Sequence, residues 1–430
     1  MKRKITLAVF TLFVTFCSAN DYVHRVIVLN EGHYDYVNMV QTVPVTVGAY
    51  NPVSHQYTTF DTIQNARFAS DVIVNGSDIF VAADNQLIRY DADSYQRLAT
   101  ASVQGVRKVA VWNNQLLVSR GEYLQTFGSY FQAYDKNDLH FLYELPVASG
   151  PQFASEGIVV KDNVAYIAIN NGFDWGNEVG LLGRVDLATQ TYLTEVDLGS
   201  GGKNPENIIL DNDRIFTVNN TDYTTASVSR IDISSLVVTT TNLMTSTGCG
   251  ASVFASSYVV FQPMGDISLG RFNTLTLGLD GSLAINRNIY GMISDEINSL
   301  LYVGETDYAS YGKVIMYDFA GALVDSFDVS VSPGNMALDI RTVAGINENS
   351  QPDQLLSCYP NPVHDLARIA VNNKNFSGDT FVLTDITGRT VKNTVADNSS
   401  FSLDLQSLDA GIYFLQSSTQ ASQKIKIVKQ

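Results

Sequence analysis

The residues of this sequence whose types and positions suggest chemistry are mostly aromatic, and they fall in polar stretches such as EGHYDY, NNGFDWGNE and ETDYASY. Tyrosine and tryptophan combine a large apolar ring with a polar edge, so a group of them suits a bulky, partly polar ligand. The candidate ligand-binding residues are Tyr34, Tyr36, Arg67, Phe68, Tyr123, Phe127, Phe153, Trp175, Asn204, Tyr223, Tyr308 and Asn335. The same side chains could instead pack long loops onto the fold, and the sequence leaves both interpretations open.

The sequence gives little support for a catalytic site or a metal-binding site. The sequence contains neither H-E-x-x-H nor G-x-S-x-G, and its three cysteines exclude a cysteine-ligated zinc site. His33 lies among the aromatic stretches, but no partner that would make it a general base is apparent. Five aspartates nearby lack the spacing of a calcium-binding loop, so we interpret them as turn residues. They are Asp35, Asp174, Asp222, Asp266 and Asp307. We predict a protein that is not an enzyme and uses no cofactor and no metal ion.

Length and charge restrict the class of protein. The chain has 430 residues, a net charge of −16 and an isoelectric point near 4.6. No basic patch is available to displace counterions from phosphates, so we exclude nucleic acid as a partner. The low charged fraction and the many Thr, Ser, Asn, Val and Tyr residues favour pleated sheets with polar turns, which indicates an all-β protein.

A repeated motif predicts the architecture that must position the candidate residues. An apolar strand that ends in Asp or Asn before a turn recurs roughly every 45 residues. The motif ends at Asn51, Asp91, Asp135, Asp186, Asp232, Asp280 and Asp318. Most copies follow a strand pair joined by a tight polar turn, as in DVIVNGSDIFVA. Four short strands in each of seven repeats indicate a seven-bladed β-propeller.

The two ends of the repeat region complete one blade between them. RVIVLNEG and VPVTVGAYN provide a second and a third strand with no first strand before them, whereas NMALDI (Asn335 to Ile340) is a first strand without a continuation. Pairing NMALDI with RVIVLNEG would close the ring and remove the exposed edge of an open sheet. The propeller is therefore predicted to span residues 20–342.

Propeller geometry brings the candidate residues to one face. Loops between the second and third strands lie on the same face as loops that lead from one blade to the next. The candidate residues fall in these two sets of loops, whereas the turns on the opposite face are short and polar. Several aromatic-bearing loops on one face favour a ligand site there.

Residues 1–19 have the features of a secretory signal peptide, with basic residues before the apolar run ITLAVFTLFVTF and small residues before the cleavage point. Lipidation of Cys17 is disfavoured because Phe16 is bulky where a small residue is expected. The mature chain then contains Cys249 and Cys358, which are too few for a disulfide framework.

A linker and a second domain follow the propeller. Residues 343–354 are polar and contain Pro352, which is typical of a linker. Residues 355–430 hold alternating strands such as TFVLTDITGRTV and GIYFLQSS, which predict a small β-sandwich. The strand pattern alone would also fit a carbohydrate-binding module. The blocks CYPNPVHD, LTDITGRTV, LQSLDAGIYFL and KIKIVKQ resemble the C-terminal sorting domain of type IX secretion cargo.

This resemblance implies export. Such cargo crosses the inner membrane by its signal peptide and the outer membrane by its sorting domain, and it is then anchored to the cell surface or released. We therefore expect a secreted or cell-surface protein, on the exterior of the outer membrane, that interacts with the type IX secretion machinery through residues 355–430.

The opening VIVLNEGHYDY and the repeated blades resemble YncE-like, surface-layer-type propellers. Some members of that group capture cobalamin at the cell surface and pass it to an outer-membrane transporter. The resemblance implies a protein that binds a bulky nutrient such as a corrinoid, with a transporter as a partner. Those relatives are typically lipoproteins, whereas this chain carries a sorting domain. Adhesion, protein interaction or glycan binding through the same face is the alternative, and a propeller lyase or hydrolase is a third hypothesis.

Overall fold

The computed structural model describes residues 19–247, 251–344, 356–371, 379–396, 400–418 and 424–430. Within these ranges the regular structure is β-strand apart from one 3-10 helix, Ser200–Gly202. Residues 1–18 of the predicted signal peptide, 1–19, and most of the predicted linker, 343–354, lie outside the described residues, as does Cys249. One compact unit comprises Ala19–Val343, and a second contains Ala344–Gln430.

Seven four-stranded antiparallel sheets form the blades of a propeller in the described part of Ala19–Val343. From first to fourth strand, blade 1 consists of Pro333–Ala344, Ala19–Asn30, Val45–Asn51 and Gln56–Ile63, blade 2 of Asp71–Asn75, Asp78–Ala83, Gln86–Asp91 and Arg97–Ser102, and blade 3 of Val106–Trp112, Gln115–Arg120, Ser129–Asp135 and Phe141–Pro146. Blade 4 consists of Ser155–Lys161, Val164–Ile169, Leu181–Asp186 and Thr191–Asp197, and blade 5 of Pro205–Asp211, Arg214–Asn219, Ser227–Asp232 and Val238–Asn242. Blade 6 consists of Ser252–Ala255, Tyr258–Phe261, Leu269–Asn273 and Gly278–Leu283, and blade 7 of Ile289–Asp295, Leu300–Glu305, Tyr311–Asp318 and Leu323–Val331. The predicted seven-bladed propeller is confirmed.

The Asp or Asn that ends the third strand folds its side chain onto the following turn. Asp186 Oδ1 accepts hydrogen bonds from the backbone N–H groups of Ala188 and Thr189, both at 3.0 Å. In blade 6 the residue with this role is Asn273 rather than Asp280, which lies in the fourth strand. The predicted repeat anchor was therefore wrong in that blade, because GLDGSL imitates the strand-plus-Asp motif.

Blade 1 closes the ring with strands from both ends of the propeller. The first strand, Pro333–Ala344, pairs with Ala19–Asn30, as the chain ends predicted. The backbone N–H groups of Glu31 and Gly32 donate to the carbonyl oxygens of Ser332 and Val331, at 2.9 and 3.0 Å. Closure leaves no blade with an unpaired inner strand among the described residues, which removes the edges of an open array.

The hydrophobic core is divided into clusters between neighbouring blades. In the described residues one cluster lies at each of the seven blade junctions. Between blades 7 and 1, the rings of Tyr50 and Phe327 stack with centroids 4.0 Å apart. Each blade therefore buries both faces of its sheet, and stability depends on an unbroken ring.

The second unit is a β-sandwich. One sheet contains Leu356–Tyr359, Leu366–Val371 and Ser400–Asp404, and the other contains Thr390–Val395, Thr380–Asp385, Gly411–Ser417 and Lys424–Lys429. Phe381, Leu383 and Leu415 are buried between the sheets. The predicted small sandwich is confirmed.

Candidate functional site

Four of the innermost strands carry a β-bulge near the residue where they begin. Register is irregular between Val106 and Val109 in blade 3, Ser155 and Ile158 in blade 4, Pro205 and Asn207 in blade 5, and Ile289 and Gly291 in blade 7. A bulge breaks the alternation of side chains and re-aims one of them, and bulges are enriched beside functional sites. The residues within these bulges include Arg107, Lys108, Glu156, Glu206 and Tyr290.

These residues belong to a set that we call the inner ring. Its members come from blades 1, 2, 3, 4, 5 and 7 and meet at the face that carries the long loops. They are Glu31, Asp71, Arg107, Lys108, Glu156, Glu206, Tyr290 and Asn335.

Arg107 is held from three sides but keeps donors free. Its Nε donates to Glu156 Oε1 at 2.8 Å, and the Glu156 side chain is only 9% exposed. The guanidinium carbon lies 5.1 Å from the centre of the Phe173 ring and 6.0 Å from that of Phe68. Among the residues that the structure describes, the two Nη groups have no hydrogen-bond partner. They form a pair of donors on a guanidinium that Glu156, Phe68 and Phe173 hold in place.

Lys108 and Asp71 form the second charged pair of the inner ring. Lys108 Nζ donates to the carbonyl oxygen of Ser70 at 2.5 Å and to Asn335 Oδ1 at 3.0 Å, and it lies 3.8 Å from Asp71 Oδ1. Asp71 Oδ2 accepts from the backbone N–H of Val109 at 2.8 Å. Burial raises the pKa of the Asp71 carboxyl despite these partners.

Glu31 reaches the inner ring because its neighbours are fixed in place. Asn30 is fully buried, and its Nδ2 donates to Tyr57 Oη at 3.1 Å. Gly32 has φ +72, and a Cβ there would lie 2.2 Å from the carbonyl oxygen of Val43, so other residues are excluded. Glu31 Oε1 accepts from the Tyr290 hydroxyl at 2.6 Å. Burial raises the pKa of Glu31 to about 6, against the Tyr290 hydrogen bond and the charges of Arg107 and Lys108.

Glu206 is the least well paired member. The amide of Asn220 donates to its Oε1 at 3.5 Å, and no salt bridge reaches it among the described residues. Burial, followed by the charge of Glu156, raises the pKa of Glu206 to about 8, and the charge of Arg107 opposes this shift. Four carboxyl groups thus share the inner ring with two cations.

Three sequence-predicted residues contact the inner ring. Asn335 belongs to it through Lys108, and the Phe68 ring lies under Arg107. Tyr308 meets Tyr290 edge to face, with centroids 5.3 Å apart.

Two further pairs of aromatic residues lie on exposed loops. The rings of Tyr34 and Tyr36 contact each other, with centroids 4.8 Å apart, at the small sheet of His33–Asp35 and Val40–Val43. The rings of Tyr123 in blade 3 and Trp175 in blade 4 also contact each other, with centroids 5.8 Å apart. Trp175 is 71% exposed and Tyr36 is 61% exposed, so both rings are available for contact.

The other predicted residues contact the protein itself. Arg67 forms ion pairs with Asp84 and Glu122 at 2.6 and 2.7 Å. Phe127 packs on Arg120, and Phe153 lies against the core between blades 3 and 4. Asn204 is buried and donates to the carbonyl oxygen of Asn220, and the Tyr223 hydroxyl donates to that of Gly172.

Most of the inner ring was missed by the sequence interpretation. Among the missed residues, Glu31 directly follows the strand that ends at Asn30. Arg107, Glu156, Glu206 and Tyr290 are polar residues near the start of the segments VRKVAV, SEGIVV, PENIIL and IYGMIS. That recurrence was the available signal, because a charged or polar residue at the same point of several inner strands has no role in the blade core.

Four of the five loop aspartates accept hydrogen bonds from backbone N–H groups of their own turns, whereas Asp174 accepts from the side-chain amide of Asn177 at 3.0 Å. Asp222 Oδ1, for example, accepts from the backbone N–H groups of Thr224 and Thr225, at 3.0 and 2.7 Å. Within the described residues, the side chains that come closest to a metal-ligand set are those of Asp135, Asp138 and His140, whose ligand atoms lie within 4.8 Å of one another. This cluster lies on the opposite face, in the turn after the third strand of blade 3.

Comparison with known proteins identifies the second unit. Residues 357–430 match the family described as the secretion system C-terminal sorting domain. The protein is therefore a secreted propeller that interacts with the type IX secretion machinery and is directed to the cell surface. In the part of the chain that the structure describes, no helix has the length and apolar character of a membrane span. No curated protein matches the sequence.

Solved structures similar to this chain have low sequence identity. A hypothetical selenium-binding protein from Sulfolobus tokodaii is similar over 75% of this chain and 94% of its own, with a TM-score of 0.57 and 9% identity. A functionally unknown protein from Desulfotomaculum acetoxidans is similar over 73% and 98%, with a TM-score of 0.53 and 14% identity. Kuenenia stuttgartiensis hydrazine synthase is similar over 66% and 99%, with a TM-score of 0.51 and 14% identity. These similarities show the fold alone.

Proposed function

We propose that this exported propeller binds a small molecule at the inner ring, with the exposed loop aromatics covering the bound ligand. The observation that carries the proposal is the state of Arg107. Its Nε donates a hydrogen bond to Glu156, and its guanidinium packs against the rings of Phe68 and Phe173. Among the described residues, its two Nη groups have no hydrogen-bond partner. A guanidinium that is fixed in this way and still has free donors is suited to binding an oxygen acceptor of a ligand.

The proposed ligand is bulky. Tyr36, Trp175 and Tyr308 come from blades 1, 4 and 7, so a molecule that contacts all of them must extend over the width of the inner ring. Aromatic rings on separate loops supply apolar area at a small cost in side-chain entropy. The inner ring supplies hydrogen-bond donors and acceptors at the centre. This combination favours a wide molecule with a polar fringe.

A corrinoid is the first ligand that we propose to test. It is wide and flat, and its carboxamide side chains offer both carbonyl acceptors and N–H donors, which complement Arg107 and the inner-ring carboxyl groups. The resemblance to surface propellers supports the same class. In this proposal the protein captures the nutrient outside the cell and passes it to an outer-membrane transporter.

Glycan binding is the second candidate, and the exposed contact between Tyr123 and Trp175 favours it. Adjacent exposed rings can stack on the apolar face of a sugar, while the inner ring would bind hydroxyl groups. We propose binding rather than turnover in either case. His33 supports this choice, because its Nδ1 is 2.6 Å from Thr42 Oγ1 and the pair is exposed in the small sheet of blade 1.

A thermal-shift screen of the mature chain against cyanocobalamin, dicyanocobinamide, haem and glycans tests the proposal. A ligand at about 100 times its Kd stabilises the folded state by about 2.7 kcal/mol. Arg107→Gln should remove the shift, whereas Arg271→Gln is the control, because Arg271 packs over Tyr258 within blade 6. A ligand that stabilises both variants equally would place the binding site elsewhere.

A further inference from the structure

Lys108 lies where the inner strands of three blades meet. Its Nζ donates to the side-chain oxygen of Asn335 at 3.0 Å and lies 3.8 Å from Asp71 Oδ1. Lys108 belongs to blade 3, Asp71 to blade 2, and Asn335 to the strand of blade 1 that closes the ring. An amine, a carboxamide and a carboxyl group are therefore brought together, although Lys108 and Asn335 are 227 residues apart in the chain.

The carboxamide carbon of Asn335 is within reach of the amine. A carbonyl bond is about 1.23 Å long, so Asn335 Cγ is at most about 4.2 Å from Lys108 Nζ. Reacting atoms in well-oriented intramolecular reactions are about 3–3.5 Å apart, so a modest rotation of the Asn335 side chain would bring the two atoms into range. Among the described residues, Asn335 Nδ2 has no hydrogen-bond partner that would hold it in place.

The surroundings favour the uncharged forms of Lys108 and Asp71. The two side chains are 25% and 16% exposed, and the 3.8 Å between Nζ and Oδ1 is too long for a direct hydrogen bond. An ion pair of this length recovers little of the free energy that burial of its charges costs. Burial accordingly raises the pKa of the Asp71 carboxyl even beside Lys108. Proton transfer from Lys108 to Asp71 leaves a neutral amine, which is the nucleophilic form of lysine.

We propose that Lys108 and Asn335 form an intramolecular isopeptide bond. Lys108 Nζ attacks Asn335 Cγ, a new C–N bond forms, and the bond between Cγ and Nδ2 breaks. Of the three protons on the lysine ammonium, one passes to the Asp71 carboxylate, one leaves with Nδ2 as ammonia, and one stays on the new amide. Atoms and charges balance, and the step needs no oxidant, reductant or further reactant. Asp71 is the proton carrier, in direct contact or through one water molecule.

The bond fastens the closing strand covalently. It connects the first strand of blade 1 to the first strand of blade 3 across blade 2, and a link between positions 227 residues apart also restricts the unfolded chain. Cys358 is a free cysteine. An isopeptide bond therefore gives this exported protein a cross-link that needs no second cysteine and does not depend on redox conditions. The inference goes beyond the proposed function, because the bond forms whether or not the inner ring binds a ligand.

Mass spectrometry of the folded mature chain tests the inference. We expect the intact mass to lie below the mass of the sequence by one ammonia molecule. Tryptic digestion should yield the peptide 108–120 joined to the peptide 314–341, because trypsin does not cleave after a lysine whose amine is acylated. Fragmentation of the joined peptides should place the link at Lys108 and Asn335.

Variants and a second lysine make the test specific. Lys108→Arg and Asp71→Ala should remove the joined peptides and restore the intact mass of the variant sequence. Lys136 is the matched control, because its Nζ donates to Asn75 Oδ1 at 3.2 Å but forms no salt bridge with a carboxylate among the described residues. We expect this pair to stay unlinked in the wild type, and we expect Lys136→Arg to retain the bond between Lys108 and Asn335.

The opposite outcomes are equally decisive. An intact mass equal to that of the sequence would overturn the inference in the wild-type protein alone, even if the variants failed to fold. Loss of ammonia without the joined peptides would assign that loss to another residue and would also overturn it. Complete linkage in Asp71→Ala, or a link between Lys136 and Asn75, would contradict Asp71 as the proton carrier. Failure of every ligand in the thermal screen would count against the proposed function alone.

Discussion

The junction between blades 7 and 1 and the inner ring both join distant parts of the chain, but they do so with different interactions. At the junction, Tyr50 stacks on Phe327, and His55 Nδ1 lies 2.8 Å from Asp325 Oδ2. In the inner ring, Glu206 has a single long hydrogen bond and the Arg107 Nη groups have none among the described residues. The junction satisfies its groups within the protein, whereas the inner ring leaves groups that a ligand can satisfy.

If the inner ring binds a ligand, as we propose, the fold assigns stability and binding to different regions. Apolar clusters between blades exclude water and supply most of the favourable free energy of folding. Incompletely paired charges near a surface cost free energy, and they persist where they serve binding. The comparison predicts that substitutions at the junction change unfolding, while substitutions in the inner ring change pH dependence and ligand affinity.

Removal of the closing strand should have the largest effect. A chain without residues 333–344 would expose the edge of Ala19–Asn30 and part of the cluster between blades 7 and 1. We expect loss of cooperative unfolding or aggregation, measured by calorimetry and light scattering. A chain that ends at residue 344 is the control and should melt like the full propeller. Equal melting of the two truncations would contradict a closed ring.

Tyr50→Ala should destabilise the propeller by about 3 kcal/mol, because large-to-small changes at buried aromatic residues remove contacts and leave a cavity. Tyr50 is 1% exposed and stacks on Phe327 in the junction cluster, which also contains Tyr302. Phe141→Ala is the matched control, since Phe141 is exposed on the outer strand of blade 3. Denaturant unfolding measures the change in the free energy of unfolding. Similar changes in both variants would contradict a larger contribution of the junction to stability.

Glu206→Gln should flatten the pH dependence of stability. The folded-state pKa of about 8 lies above the ordinary value of 4.5, so the folded protein retains a proton that the unfolded chain releases. This contribution is present below the ordinary value and is lost as the pH rises through about 8. Over this pH range we expect the free energy of unfolding of the wild type to fall by on the order of 2 kcal/mol. This is less than the full pKa shift of Glu206 implies, because Glu206 is partly open to solvent.

The measurement is urea unfolding of the wild type and Glu206→Gln between pH 5 and pH 9. Glu144→Gln should keep the slope of the wild type, because Glu144 accepts from Gln132 in the outer part of blade 3. A wild-type slope that persists in Glu206→Gln would assign the titration to another carboxyl group, with Glu31 as the first to examine.

Substitution of the exposed loop aromatics should have the smallest effect. Tyr36→Ala, Trp175→Ala and Tyr308→Ala should each weaken ligand binding by about 1 kcal/mol and leave the melting temperature unchanged, because these rings are largely exposed in the free protein. Isothermal titration of the ligand found in the screen measures the change. Unaltered affinity in all three variants would confine the binding site to the inner ring.

Sequence patterns predicted the fold better than the site. The Asp or Asn at the end of each third strand is a local signal, because its side chain bonds turn amides two and three residues away. The aromatic residues were assigned to the correct loops, but Phe127 and Tyr223 bond or pack within the protein. A loop sequence does not reveal whether a ring points toward solvent or toward the neighbouring loop.

The amino-acid sequence by itself determined the number of blades, the closure of the first blade and the presence of a sorting domain, because strand alternation, turn residues and sequence blocks are properties of short segments. Only the tertiary structure decided the inner ring. Its members are distributed from Glu31 to Asn335, and β-bulges that no alternating pattern encodes direct several of them to the centre. The raised pKa of Glu206 has the same origin, because burial and the charge of Glu156 act only when blades 4 and 5 are packed together.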